Sequence, residues 1–193
     1  REILSYSEIV REKLGNMGEV FFGGIADSSK NCKRIEQAFE KNNIDLIVIH
    51  AATYGLSAHI MNAIKKFNVP VITLHLQPIE SFDNFSTEYT LPKNTLAVAG
   101  EIGAILKRFK ISFQSFFGTL DEKKVWEDIK HYIEALSVKK KLNNSTVALL
   151  GETYPGMLDL FIDRSLFIEK FGINIEDFEI SDLQKEIDLV NGK

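Results

Sequence analysis

Short runs of β-branched and aromatic residues alternate along this chain with longer stretches whose apolar residues recur every three or four positions. That alternation is the pattern of βα units around a parallel sheet. Strand-like runs fall at residues 20–25, 46–50, 71–76, 111–117, 146–150 and 177–180. Between them Cys32, Ile35, Ala38 and Phe39 form one helical stripe, and Ile60, Met61, Ile64 and Phe67 a second; Val125, Ile129, Tyr132, Ile133 and Leu136 form a third. Further helices are predicted at 5–14, 101–109 and 163–171. The expected fold is α/β, a doubly wound, Rossmann-like parallel sheet domain followed by the start of a second α/β domain.

With 193 residues the chain exceeds one domain of roughly 150 residues without reaching two. The basic run Lys139, Lys140, Lys141 leads into Asn143 and Asn144, which places a boundary in 138–145. Lysines there read as a solvated helix end that complements the helix dipole. The expected division is 1–143 as the first domain and 144–193 as an incomplete second one, because two parallel strands make a poor independent sheet. A doubly wound sheet would also place a strand ahead of the first helix. Its absence, with Arg1 in place of an initiator Met, reads as a chain cut at the front as well.

Local signals refine this. Thr119 with Glu122, and Ser181 with Gln184, fit the capping box at a helix start. The stretch 77–94 holds Pro78, Asp83, Asn84, Glu88 and Pro92 without sustained period and is too long for an ordinary connection, which suits a functional loop.

Composition narrows the function. The 45% of apolar residues supplies a core, and the balance of 23 basic against 27 acidic residues, a net charge of −4, argues against nucleic acid as a partner. No apolar run approaches the roughly 18 residues that cross a bilayer, so no membrane partner is expected. The lack of a charged-then-apolar leader suits a cytoplasmic protein. The single Cys32 leaves no internal disulfide or Cys-rich zinc site, and it reads as a small apolar residue on a helix face.

In a parallel α/β sheet the ligand crevice lies beyond the carboxyl ends of the strands. The residues there are polar: His50, Thr53 and Tyr54 after the second run, His75 and Gln77 at the third, and Glu152, Thr153, Tyr154 and Met157 after the fifth. Hydroxyls, amides, imidazoles and aromatic faces suit a polyhydroxylated ligand better than a phosphate. Gly23-Gly24 lies between a strand and a helix, but neither GxGxxG nor GxxxxGK[ST] occurs, and a tight βα turn accounts for it. His50 and His75 stand at strand ends, where a hydrogen-bonding role fits better than metal ligation because no paired His spacing supports a metal. His59 and His131 read as solvated, and no GxSxG elbow is present.

Three segments carry a resemblance: His-Ala-Ala-Thr-Tyr-Gly-Leu-Ser at 50–57, Pro-Val-Ile-Thr-Leu-His-Leu-Gln-Pro at 70–78 and Gly-Glu-Thr-Tyr-Pro-Gly-Met-Leu-Asp at 151–159. Together with Ala-Gly-Glu-Ile-Gly at 99–103 and Phe-Gly-Thr at 117–119, they resemble the amino-terminal half of the L-fucose/L-arabinose isomerase family. The resemblance implies an aldose–ketose isomerase that binds Mn²⁺ and moves a proton between adjacent carbons through an enediol. The cation polarises the sugar oxygens while a carboxylate takes and returns the proton. In that family the metal ligands lie downstream of the matched region, so no metal and no isomerase activity are expected of this piece alone. The resemblance further implies a homo-oligomer in which the first domain closes a neighbour's sugar pocket. By position in the matching motifs Thr53, Tyr54, Gln77, Tyr154 and Met157 would lie near the sugar, with Asn84 and Glu88 of the long loop next. The competing expectation is a non-catalytic α/β sugar-binding or interaction module.

Overall fold

The computed structural model describes residues 2–81, 86, 87 and 93–192. It is an α/β protein with parallel sheets, and contacts divide it into two compact units, Arg1–Lys130 and His131–Lys193.

In the first unit α1 (Glu2–Gly15) and α2 (Ser29–Asn42) precede β1 (Ile47–His50), α3 (Ser57–Ile64) and β2 (Val71–Gln77). Then come α4 (Ala99–Arg108), β3 (Phe113–Thr119) and α5 (Lys123–Leu142), the last of which runs on into the second unit. The sheet order is β1-β2-β3, all parallel, with Ile47 opposite Val71 and Val71 opposite Phe113. Crossover helices between parallel neighbours explain why strand and helix patterns alternate in the sequence.

Central β2 is buried from Val71 to Leu76, so both its faces are covered. Val71 belongs to a core with Cys32 and Ile35 of α2, Met61 and Ile64 of α3, and Ile102 and Leu106 of α4. Ile72, Leu74 and Leu76 point to the opposite face. Val10 and Leu14 of α1 and Val125, Trp126 and Ile129 of α5 are buried as well. Lys13 lies over the Trp126 ring at 5.1 Å, which sets α1 beside α5. Helices α2, α3 and α4 therefore form one layer, and α1 with α5 the other.

Residues 20–25, predicted as a strand, are not one: among the described residues they form no ladder and no backbone hydrogen bond. Composition gave them strand chemistry, but a strand is defined by its neighbours. The predicted strand at 111–117 lies at Phe113–Thr119, because residues 107–111 close α4 through bonds from Lys110 to Lys107 and from Ile111 to Leu106.

The second unit holds β4 (Thr146–Leu150), a 3₁₀ turn (Leu158–Leu160), α6 (Arg164–Phe171), β5 (Asn174–Phe178) and α7 (Ile180–Val190). Strands β4 and β5 pair in parallel from Thr146 opposite Asn174 to Leu150 opposite Phe178. Arg164 grips Asp177 with both guanidinium nitrogens, Nη2 to Oδ1 at 2.7 Å. Only Ile173 is buried among the described residues of this unit, while Leu158 and Val190 are 82% and 87% exposed.

The helix caps differ in part from expectation. Glu122 does reach back to the Thr119 N–H, at 3.3 Å. Ser181 is no cap: it sits inside α7, whose N-cap Glu179 receives the Asp182 N–H on its carbonyl, and Gln184 instead donates to Asp188. Ser28 and Asp163 cap α2 and α6 by accepting the N–H groups of Asn31 and Leu166. Lys139, Lys140 and Lys141 are exposed in the last turn of α5.

Candidate functional site

The carboxyl ends of β1, β2 and β3 bring polar residues to one edge of the first unit. β1 ends at His50, and Thr53 and Tyr54 follow before α3 begins, Thr53 half-buried and Tyr54 49% exposed. β2 ends at Gln77, opposite Thr119 in register, with the Gln77 carbonyl accepting the Leu120 N–H at 2.9 Å and its side chain half-buried. At this edge Thr53 and Tyr54 offer a hydroxyl and an aromatic face, and Gln77 an amide. Tyr154 and Met157 belong to the second unit, where they precede the 3₁₀ turn, 69% and 45% exposed; neither is packed in a core. Asn84 and Glu88 lie outside the described residues, as do Phe82, Phe85 and Tyr89.

Beneath this edge runs a buried polar chain that sequence reasoning did not find. His75 Nδ1 stands 3.1 Å from the Thr95 carbonyl, and Nε2 stands 3.2 Å from Thr73 Oγ1. Thr73 in turn meets Ser115 Oγ at 2.8 Å. A carbonyl only accepts, so Nδ1 carries the proton. Burial depresses the His75 pKa, with the Thr95 carbonyl opposing, so the ring is neutral, its Nε2 beside the Thr73 hydroxyl. Its ring lies stacked on Phe117 of β3.

His50 is different. Among the described residues both its ring nitrogens are buried without a hydrogen-bond partner, as is the Thr95 hydroxyl. Burial, and then the nearby His75, push its pKa down to about 4. At neutral pH it is an uncharged imidazole with one donor and one acceptor unused, each such group costing about 1–3 kcal/mol.

Glu101, in the first turn of α4, accepts the Ser57 N–H at 3.1 Å and so caps α3, whose own N-cap Leu56 offers no side chain for the purpose. The Ser57 hydroxyl and N–H hold the Glu101 carboxyl below its usual range. The acidic residue at a helix start was the one sequence signal for this contact.

A groove of about 310 Å³ lies at Gly23, Gly24, Asp27, Asn31 and Arg34. Gly24 has φ +122°, a conformation only glycine adopts readily, but the Gly23-Gly24 pair lies in the irregular stretch leading into α2 and makes no turn hydrogen bond among the described residues. Asp27, which lines this groove, accepts from Asn31 Nδ2 at 2.7 Å, and its negative charge there disfavours an anionic ligand.

Among the described residues no three His, Cys, Asp or Glu side chains converge, and both ring nitrogens of His75 are engaged. No helix of the described residues is long and apolar enough to cross a membrane.

No family model matches the chain. Over 162 residues, 84% of its length, it is 21% identical to the sulfoquinovose isomerases of Priestia aryabhattai and of Priestia megaterium (strain ATCC 12872 / QMB1551). The match covers 35% of each relative, so the chain spans about a third of the length of the curated relatives it matches. The likeness supports kinship with sugar isomerases in general.

Proposed function

We propose that this chain supplies the sugar-binding and subunit-packing part of an aldose–ketose isomerase for L-arabinose, L-fucose or a similar sugar. The single observation that carries the reading is the likeness to two sugar isomerases over 84% of the chain. The polar side chains at the strand mouths of the first unit agree with it. In this reading Thr53 and Gln77 hydrogen-bond sugar hydroxyls and Tyr54 offers an aromatic face, with Asn84, Glu88, Tyr154 and Met157 as further sugar contacts. Each neutral hydrogen bond contributes about 0.5–1.5 kcal/mol, so several are needed to orient one sugar.

In this reading the proton transfer and the Mn²⁺ of such an enzyme belong to residues outside those described. The first unit packs against a neighbouring protomer of a homo-oligomer in the cytoplasm and helps close its pocket.

The test is kinetic. In the complete enzyme Tyr54→Ala or Gln77→Ala lowers kcat/KM by about 10–100-fold with unchanged circular dichroism, as expected when one binding contact is lost. Unchanged kinetics with L-arabinose, L-fucose and sulfoquinovose alike, in folded variants, removes both residues from the site.

A further inference from the structure

The loop from β1 to α3 carries Thr53 and Tyr54, and its two ends are held in different ways. At the near end the Ala51 N–H bonds to the Leu74 carbonyl of β2 at 3.0 Å, and the Ala52 N–H to the His50 carbonyl. The N–H groups of Tyr54, Gly55 and Leu56 then reach no backbone carbonyl among the described residues. Tyr54 and Leu56 are half exposed, and a Cβ at Gly55 would meet nothing within 4 Å. Neither packing nor a backbone ladder holds this stretch in place.

The far end depends on how α3 starts. The buried residues of α3 are Met61, Ala63 and Ile64, all in its second half, and its first turn, 57–60, has no fully buried residue. Its N-cap Leu56 offers no side chain to the free N–H groups. What meets that turn is Glu101, whose Oε1 accepts the Ser57 N–H at 3.1 Å.

Glu101 stands on a rigid base. It is followed by Ile102, wholly buried in the core, and the α4 N-cap Val98 is buried as deeply. Just ahead of α4 the Thr95 carbonyl is tied to His75 Nδ1 of β2. A contiguous path thus runs from β2 through His75, Thr95 and the start of α4 to Glu101, Ser57 and the loop. Gln77 ends the same strand from which that path begins. Groups that bind one ligand together must be held to within about 0.5 Å by supporting contacts of this kind.

We propose that Glu101 is a positioning residue for the sugar-binding loop: by gripping the first turn of α3 it sets Thr53 and Tyr54 against Gln77. Ser57 engages the Glu101 carboxylate with both its N–H and its hydroxyl, so Glu101 acts through the loop and does not touch the sugar. The clamp rests on geometry alone; its effect on a sugar rests on the function proposed above.

Two measurements test it. In this chain without sugar, Glu101→Ala lowers the NMR order parameters of Tyr54, Gly55 and Leu56 to below about 0.6, the flexible range, while Met61 keeps the value of rigid backbone. Glu101→Gln retains an acceptor oxygen for the Ser57 N–H and behaves as the parent. Equal order in the parent and the Ala variant overturns the proposal. Glu101→Met, similar in length and without an acceptor, takes the place of Ala should that variant not fold.

In the complete enzyme Glu101→Ala raises KM about fivefold with kcat within about twofold of the parent, and Gln restores KM. Ser57→Pro closes a double-mutant cycle. Proline suits the first position of a helix and removes the N–H that Glu101 receives, and Leu56 before it already has the extended backbone proline demands, φ −88° and ψ 126°. In that background Glu101→Ala changes KM no further. A full effect persisting there means that Glu101 acts by another route and overturns the proposal, as does an unchanged KM in Glu101→Ala when Tyr54→Ala raises it. If Tyr54→Ala and Gln77→Ala leave the kinetics unmoved, the sugar reading fails instead, and the order parameters decide the clamp by themselves.

Discussion

His75 lies flat against Phe117, ring centroids 5.1 Å apart and planes 15° from parallel, across the β2–β3 register that makes them partners. The ring is thus fixed between a hydrogen bond to Thr95 on the chain leading into α4 and an aromatic face on β3. Replacing His75 with Phe keeps much of the volume but leaves the buried Thr95 carbonyl without its donor, and should cost about 1–3 kcal/mol. His75→Ala adds a cavity and should cost about 2–4 kcal/mol. Urea unfolding checks both, and a Phe variant as stable as the parent would show that the hydrogen bond contributes nothing net.

Acid should weaken the first unit through its histidines. His50 stays neutral in the folded protein until about pH 4, whereas an unfolded histidine takes up its proton near pH 6.5. Between these values the unfolded chain binds more protons, so stability falls as pH drops from about 6.5 to about 4 and levels off below that. For His50 the loss is on the order of 3 kcal/mol, and His75, also depressed, adds in the same direction. Denaturant melts across this range should show the decline, and His50→Gln should flatten it. An equal slope in that variant would locate the acid sensitivity elsewhere.

Gly23→Ala tests the packing of residues 20–25 on α2. The added methyl carbon would meet Phe39 Cζ at 2.9 Å, too close for two carbons, so the ring must shift. Overpacking of this kind costs about 1–3 kcal/mol. A melting temperature unchanged by the substitution would mean that the contact between Gly23 and Phe39 is loose in solution.

The Glu101 cap on α3 can be read directly. Glu101→Ala frees the Ser57 N–H, and its exchange should quicken by about tenfold relative to the helix centre at Met61. In the parent, NMR titration should find the Glu101 carboxyl ionising below the ordinary glutamate range. If Ser57 exchanges at the same rate in both proteins, the carboxylate is not what holds that amide.

Alternating apolar periods made the βα order legible, because a parallel sheet imposes them on every unit; β2 was read to within one residue, its crossover helices to within about three, and the strand read at 177–180 lies at Asn174–Phe178. What failed was what depends on a neighbour. Residues 20–25 have the composition of a strand but bond to no backbone among the described residues. Ser181 has the spacing of a cap, but α7 starts one residue earlier, at Ile180. In the candidate site the strand-end rule found His50, Thr53, Tyr54 and Gln77 because the carboxyl ends of parallel strands share an edge. It could not find the Thr73–His75–Thr95 chain, which joins residues 20 positions apart through a backbone carbonyl, nor the 44-position link from Ser57 to Glu101. Such contacts leave no periodic trace.

Cys32, the one thiol of the chain, is wholly enclosed between α2 and the sheet, and burial raises its pKa. A soluble disulfide reagent can reach it only when that helix lifts. Its rate of modification is therefore a stopwatch for opening of the first unit, and it requires no label to be engineered.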